Sequence, residues 1–210
     1  MRTLLVLGLC LEALALTPSA VSVAQKPVKT VKDGVLDEIV LYVTKPPSTP
    51  ATQIVMRPFS GLDADLGTGA AGGKEERQTE AQTIKTAGPT VLGEQFVSTL
   101  KSLGPYQDVS AADAVPAGAL VIEGKFTKID PGSRAKRYLV GFGAGKSTVA
   151  VSGSVKDSTG AVLATFSQQR HGVMGMGGGD SLGKLIADSR NIGEDIAKFV
   201  SAWAKEKSLK

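Results

Sequence analysis

The residues best equipped for chemistry lie between Asp130 and Ser147, where the chain reads DPGSRAKRYLVGFGAGKS. Gly145-Lys146-Ser147 has the ending of a phosphate-cradling loop, in which backbone N–H groups wrap phosphates and a helix N-terminus follows. Such a loop needs a glycine where Val140 stands. The run after Lys146, STVAVSGSV, alternates β-branched residues and predicts a strand, which brings no helix dipole to a phosphate. The sequence therefore predicts no nucleotide and no cofactor.

Hydrolytic and metal chemistry are equally short of parts. His171 is the only histidine, and no Gly-x-Ser-x-Gly turn accompanies it, so a hydrolase using His171 is the weakest of the functional readings. Asp63 and Asp65 lack the further oxygen ligands and the Glu of a calcium loop. The only cysteine is Cys10, which leaves no thiolate site in the body of the chain. We expect no catalytic residue and no metal site.

What the segment does hold is charge. Lys125, Lys128, Arg134, Lys136, Arg137 and Lys146 stand against Asp130 alone, whereas the whole chain has a formal net charge of only +4. Arginines suit bidentate contact with phosphate, and the glycines at 141, 143 and 145 let backbone N–H groups approach an anion or another chain. The candidate binding residues are Arg134, Lys136, Arg137, Tyr138, Gly141, Gly143, Gly145 and Lys146. A second glycine-rich stretch, Gly172 to Gly179, carries Met174 and Met176, an adaptable apolar edge suited to a partner.

The elements that must position this segment follow from periodicity. Ala119–Ile129, Ser147–Lys156 and Ala161–Gln168 read as an antiparallel meander, the last two joined by a hairpin at Asp157-Ser158-Thr159-Gly160. Ahead of it, Val35–Thr44 and Thr52–Phe59 are strand candidates. Glu75–Ala87 reads as a helix broken at Gly88-Pro89, and a second helix with Leu92, Phe96, Leu100 and Leu103 at helical spacing starts at Pro89. Ser181–Lys205 is predicted as the closing helix, with a wide apolar stripe from Leu182 to Trp203. The class is α+β: an antiparallel sheet of four to five strands packed against two main helices.

At the N-terminus, an apolar run from Leu4 to Leu16 is too short for the ~20 residues that span a bilayer. Ser22-Val23-Ala24 offers small residues where a signal peptidase inspects them, so residues 1–24 read as an export signal cleaved after Ala24. Residues 25–50, polar and interrupted by Pro46, Pro47 and Pro50, read as an N-terminal extension and linker. Residues 51–207 then form a single α+β domain. With 42% hydrophobic but only 5% aromatic residues, its core is aliphatic.

Gly124-Lys-Phe, Arg137, Gly141-Phe-Gly-Ala-Gly-Lys-Ser, the Val-alternating strand, the Asp157-x-x-Gly160 turn and the terminal helix together resemble the bacterial domain-of-unknown-function family 4410. The resemblance runs from about Ile54 to Trp203. It implies a Gram-negative envelope protein, often lipid-anchored, with no established activity. Here Leu9 precedes Cys10 where a lipidation signal has a small residue. The order of elements is also distantly similar to the amino-terminal domain of the Tol periplasmic translocation protein and to the periplasmic domain of the curli-secretion channel lipoprotein. The expected function is a non-enzymatic exported module, periplasmic or outer-membrane-associated, that binds another envelope component (protein, anionic lipid or polysaccharide head group) through its basic glycine-rich edge. Nucleic acid is not an expected partner of an exported chain. The alternative is a structural subunit that self-assembles into a homo-oligomer through its glycine-rich segments and sheet edges.

Overall fold

The structure is a computed structural model, and it describes residues 25–48, 52–67, 74–132, 146–172 and 181–210. Strands β1 (Lys29–Lys32), β2 (Glu38–Leu41) and β3 (Ile54–Met56) precede helix α1 (Lys74–Leu103). Strands β4 (Val109–Ala111), β5 (Leu120–Asp130), β6 (Thr148–Lys156) and β7 (Val162–His171) follow, and helix α2 (Ser181–Ala204) closes the chain. The strands make one sheet in the order β1-β2-β7-β6-β5-β3-β4.

This is the expected α+β class with a larger and mixed sheet. The β5-β6-β7 meander is antiparallel as predicted, but β3 pairs in parallel with both β4 and β5. A parallel neighbour needs a crossover, and α1 supplies it between β3 and β4. Residues 25–50, expected as an extension and linker, contribute β1 and β2, and β2 pairs with β7 through Ile39↔Phe166 and Leu41↔Ala164. The C-terminal tail closes over this region: Leu209 is buried and its carbonyl accepts the Val35 N–H at 3.0 Å.

Alternation decides which face of the sheet is covered. Val149, Val151 and Val155 of β6 lie opposite Ile129, Phe126 and Ile122 of β5, all buried. A strict two-residue period would turn Ile129 to the other face. The register slips between Phe126 and Lys128, and this bulge returns Ile129 to the core. Asp157 holds the β6–β7 turn: its Oδ1 accepts the Thr159 hydroxyl at 2.6 Å and the Thr159 N–H at 2.8 Å. The hydroxyl bond leads the causes that keep this carboxyl below its ordinary value.

Both helices lie on the valine face. α1 is a single helix with Pro89 inside it, where two helices were expected. Pro89 has no N–H for the Lys85 carbonyl, a loss of about 3 kcal/mol in a helix interior. Ala81 and Ile84 before it and Leu92, Phe96 and Leu100 after it are all buried in one core. Each large side chain contributes about 1.5–3 kcal/mol on burial, so packing on both sides of the proline outweighs the missing bond. α2 buries Leu185, Ile192, Ile196, Phe199, Val200 and Trp203 and ties itself down at its end, where the Trp203 indole donates to the Thr44 carbonyl at 3.1 Å. The two helices meet at Gly193, where an added Cβ would lie 2.2 Å from the Leu92 carbonyl oxygen.

Aromatic rings fill the centre of the core. Phe59, Phe166, Phe199 and Trp203 form a chain with centroid separations of 6.4, 6.1 and 5.6 Å. The sheet makes room for the first two rings with glycines paired across β5 and β6, Gly124↔Gly153, and Phe166 is the β7 partner of Gly153.

Candidate functional site

β5 and β6 deliver the two ends of the basic segment side by side, with Asp130 registered against Thr148. The Asp130 carboxylate turns the departing chain by accepting the Gly132 N–H at 2.8 Å. Arg134, Lys136, Arg137, Tyr138, Gly141, Gly143 and Gly145 lie outside the described residues. Lys146, the one candidate within them, is exposed. The following chain is β6, as the alternation of Val149 and Val151 predicted.

Of the basic residues that precede the segment, Lys125 is exposed and Lys128 pairs with Asp65 at 3.6 Å, which offsets part of the positive charge read from the sequence. Asp65 itself accepts the Gly67 N–H at 2.8 Å and bridges to β5 at Lys128. Its role here is to turn a loop and neutralise a lysine.

His171, at the end of β7, is exposed, with Nδ1 3.1 Å from the Thr148 hydroxyl and Nε2 2.7 Å from the Gln169 amide. Thr148 and His171 are paired on the face of the sheet away from α2. Ser147, the residue just before β6, falls on the opposite face, so alternation separates this serine from the histidine.

Two features near this end of the sheet were not predicted. On the helix side, Asp195 of α2 accepts from the Arg170 guanidinium at 2.6 Å and from the Gln168 amide at 3.2 Å, while Gln168 Oε1 accepts the Asp37 N–H at 2.9 Å. These contacts join the residue before β2 to β7 and α2. Asp188 lies further toward the start of α2, and burial pushes its carboxyl above the ordinary range against the pull of Arg170, His171 and Lys184. The signal was available in the sequence: Asp188 and Asp195 are seven residues apart on a helix whose buried residues include no other charged side chain than Asp195.

The uncovered face of the sheet forms a shallow depression of about 790 Å³ whose lining includes Glu38, Arg57, Glu123, Ser152, Ser154 and Ser167. Glu123 is engaged within it, by Lys156 at 2.5 Å and Arg57 at 3.4 Å. Among the described residues, no group of three or more His, Cys, Asp or Glu is placed to hold a metal ion, and no helix is long and apolar enough to cross a membrane.

Comparison with solved structures finds similar folds at low identity. A PelC dodecamer from Paraburkholderia phytofirmans aligns at 12% identity over 73% of this chain and 94% of that chain, with a TM-score of 0.41. A single-substitution variant of the same PelC aligns at 12% identity over 74% and 93%, with a TM-score of 0.38, and an uncharacterized protein at 12% over 72% and 95%, also at 0.38. No curated protein matches the chain. A family model described as a domain of unknown function matches residues 15–176, a span that takes in β1 and β2 and stops short of α2, where the sequence resemblance had run from Ile54 to Trp203. With more than half of its length matched, the chain belongs to the DUF4410 family.

Proposed function

We propose that the protein is a non-catalytic exported module of the bacterial envelope, which binds an anionic envelope component at the end of the sheet where the basic segment leaves β5 and returns to β6. The observation that supports this reading is the pairing of Asp130 with Thr148, which fixes both roots of that segment on adjacent strands. The sequence between those roots holds Arg134, Lys136 and Arg137, and Lys146, at its return to β6, is exposed. Basic residues near an anionic surface contribute about 1 kcal/mol each, screened over a Debye length of about 8 Å at physiological ionic strength.

Sedimentation with anionic and neutral vesicles tests the reading. The mature protein binds anionic vesicles at low salt, releases them as salt rises, and binds more weakly after Arg134→Glu, Arg137→Glu or Lys146→Glu with the circular dichroism spectrum unchanged. Equal sedimentation with both vesicle types, or indifference to all three substitutions, refutes it. Self-assembly is measured on the same material by sizing at several concentrations. One sheet edge is poorly suited to it: β1 carries exposed Lys29 and Lys32, and charged edge strands resist pairing with a second sheet.

A further inference from the structure

The end of α2, the start of β1, β2 and the C-terminal tail enclose a small cleft of about 250 Å³. Leu41, Trp203 and Leu209 form its floor, each of them buried, and Val28 stands beside them at 55% exposure. Lys29 and Lys207 reach it from two directions. Lys29 is registered against Leu41, and alternation puts it on the same face as buried Val31. Lys207 is placed by the cap of α2: its N–H donates to the Ala202 carbonyl at 2.8 Å, and the Glu206 N–H donates to the Trp203 carbonyl at 3.1 Å. These are the paired bonds of a Schellman turn, with Glu206 at φ 53° where glycine is usual.

The charges at the cleft do not balance. Glu206, the one carboxylate in the lining, is paired with Lys45 at 3.5 Å. Among the described residues no carboxylate pairs with Lys29 or Lys207, so three lysines share a single acid. Two ammonium groups at one small cleft repel each other, and an anion between them relieves the repulsion. The remaining lining is apolar in character. The Trp203 N–H is spent on the Thr44 carbonyl at 3.1 Å and its ring stacks on Phe199, so the indole lends the cleft apolar surface and no donor. The methylene stems of the two lysines extend that surface toward water.

We propose that this cleft binds a short alkyl carboxylate, with the chain against Val28 and the floor of Leu41, Trp203 and Leu209 and the carboxylate between Lys29 and Lys207. Its volume lies below the about 300–1,000 Å³ of sites for drug-sized ligands, which restricts the occupant to one short chain. The site is separate from the basic segment. Thr148, at the root of that segment, pairs with His171 beside Asp188, and roughly 22 Å of helix lies between Asp188 and Trp203. The proposal therefore does not rest on what the basic segment binds.

Trp203 is the only tryptophan, so its emission reports on the cleft alone. Titration of the mature protein with octanoate changes that emission saturably, and octanol, which has the chain without the charge, binds more weakly. Lys29→Gln and Lys207→Gln each weaken octanoate by about two- to fivefold, the range of an exposed ion pair, and leave octanol unaffected. Methyl resonances supply a reading that needs no substitution: those of Val28, Leu41 and Leu209 shift with octanoate in the native chain. No saturable change, equal binding of octanoate and octanol, or indifference to both substitutions with the circular dichroism spectrum unchanged overturns the proposal. So do methyl shifts that leave Val28, Leu41 and Leu209 in place. An emission change with phosphatidylglycerol vesicles but not with octanoate also overturns it, in favour of a membrane surface.

Discussion

The Phe166 ring lies against Gly153, its partner across the β6–β7 ladder, so closely that a Cβ on the glycine would sit 2.6 Å from the ring Cζ. The same Cβ would lie 2.8 Å from the Glu123 carbonyl oxygen, which is backbone and cannot rotate away. Gly153→Ala therefore destabilises the protein by about 1–3 kcal/mol through overpacking. Phe166→Ala, which empties the centre of the aromatic chain, loses about 3–5 kcal/mol. Urea midpoints measure both, and an unchanged midpoint for Gly153→Ala would show that the ring has room to move.

Gly193→Ala sets helix propensity against packing. Alanine favours a helix interior by about 1 kcal/mol over glycine. Here, however, its Cβ would meet the Leu92 carbonyl oxygen at 2.2 Å and the carbonyl carbon at 3.1 Å, so α1 and α2 must separate. We expect a net loss of about 1–3 kcal/mol. Thermal denaturation checks it, and a higher melting temperature is the contrary result.

Asp195→Ala leaves the Arg170 guanidinium and the Gln168 amide without their shared acceptor. Removing one partner of a buried pair costs about 3–5 kcal/mol; Arg170 is one-third exposed, which brings the expected loss to about 2–3 kcal/mol. Asp195→Asn keeps an acceptor oxygen and recovers part of it. A double-mutant cycle with Arg170→Ala isolates the coupling, and its absence would assign the loss to Asp195 alone.

Export predicts a defined N-terminus. Protein recovered from the periplasm should begin at Gln25, after the Ser22-Val23-Ala24 site. Intact-mass measurement distinguishes this from a chain that retains residues 1–24 or carries an acyl group on Cys10.

The meander and α2 were legible because their signals are local. Val149, Val151 and Val155 mark one face of β6, Asp157 and Gly160 mark its turn, and Leu185 to Trp203 mark a helix stripe. β3 was harder to place, since Ile54-Val55-Met56 is apolar throughout and says nothing about the direction of its partners. Pro89 read as a boundary because a local rule cannot register burial on both sides of it. Lys29 to Lys32 read as part of a polar extension because an edge strand buries one residue, Val31, and shows its lysines. At the candidate site, the charge run was plain from composition. The partners of Asp195 in Gln168 and Arg170 were not, because strand pairing and helix packing bring together residues that no sequence window contains.

The position of β1 also bears on how the domain would meet a membrane if the chain is exported as its leader-like start predicts. Between the expected cleavage point at Ala24 and the first strand residue, Lys29, stand only Gln25 to Val28, which reach about 14 Å when fully extended. If residues 1–24 are a leader seated in the bilayer until cleavage, that short leash would hold the β1 edge, with Lys29 and Lys32, close to the head groups. A domain folded before cleavage would then stand edge-on to the membrane, and cleavage would free it to turn.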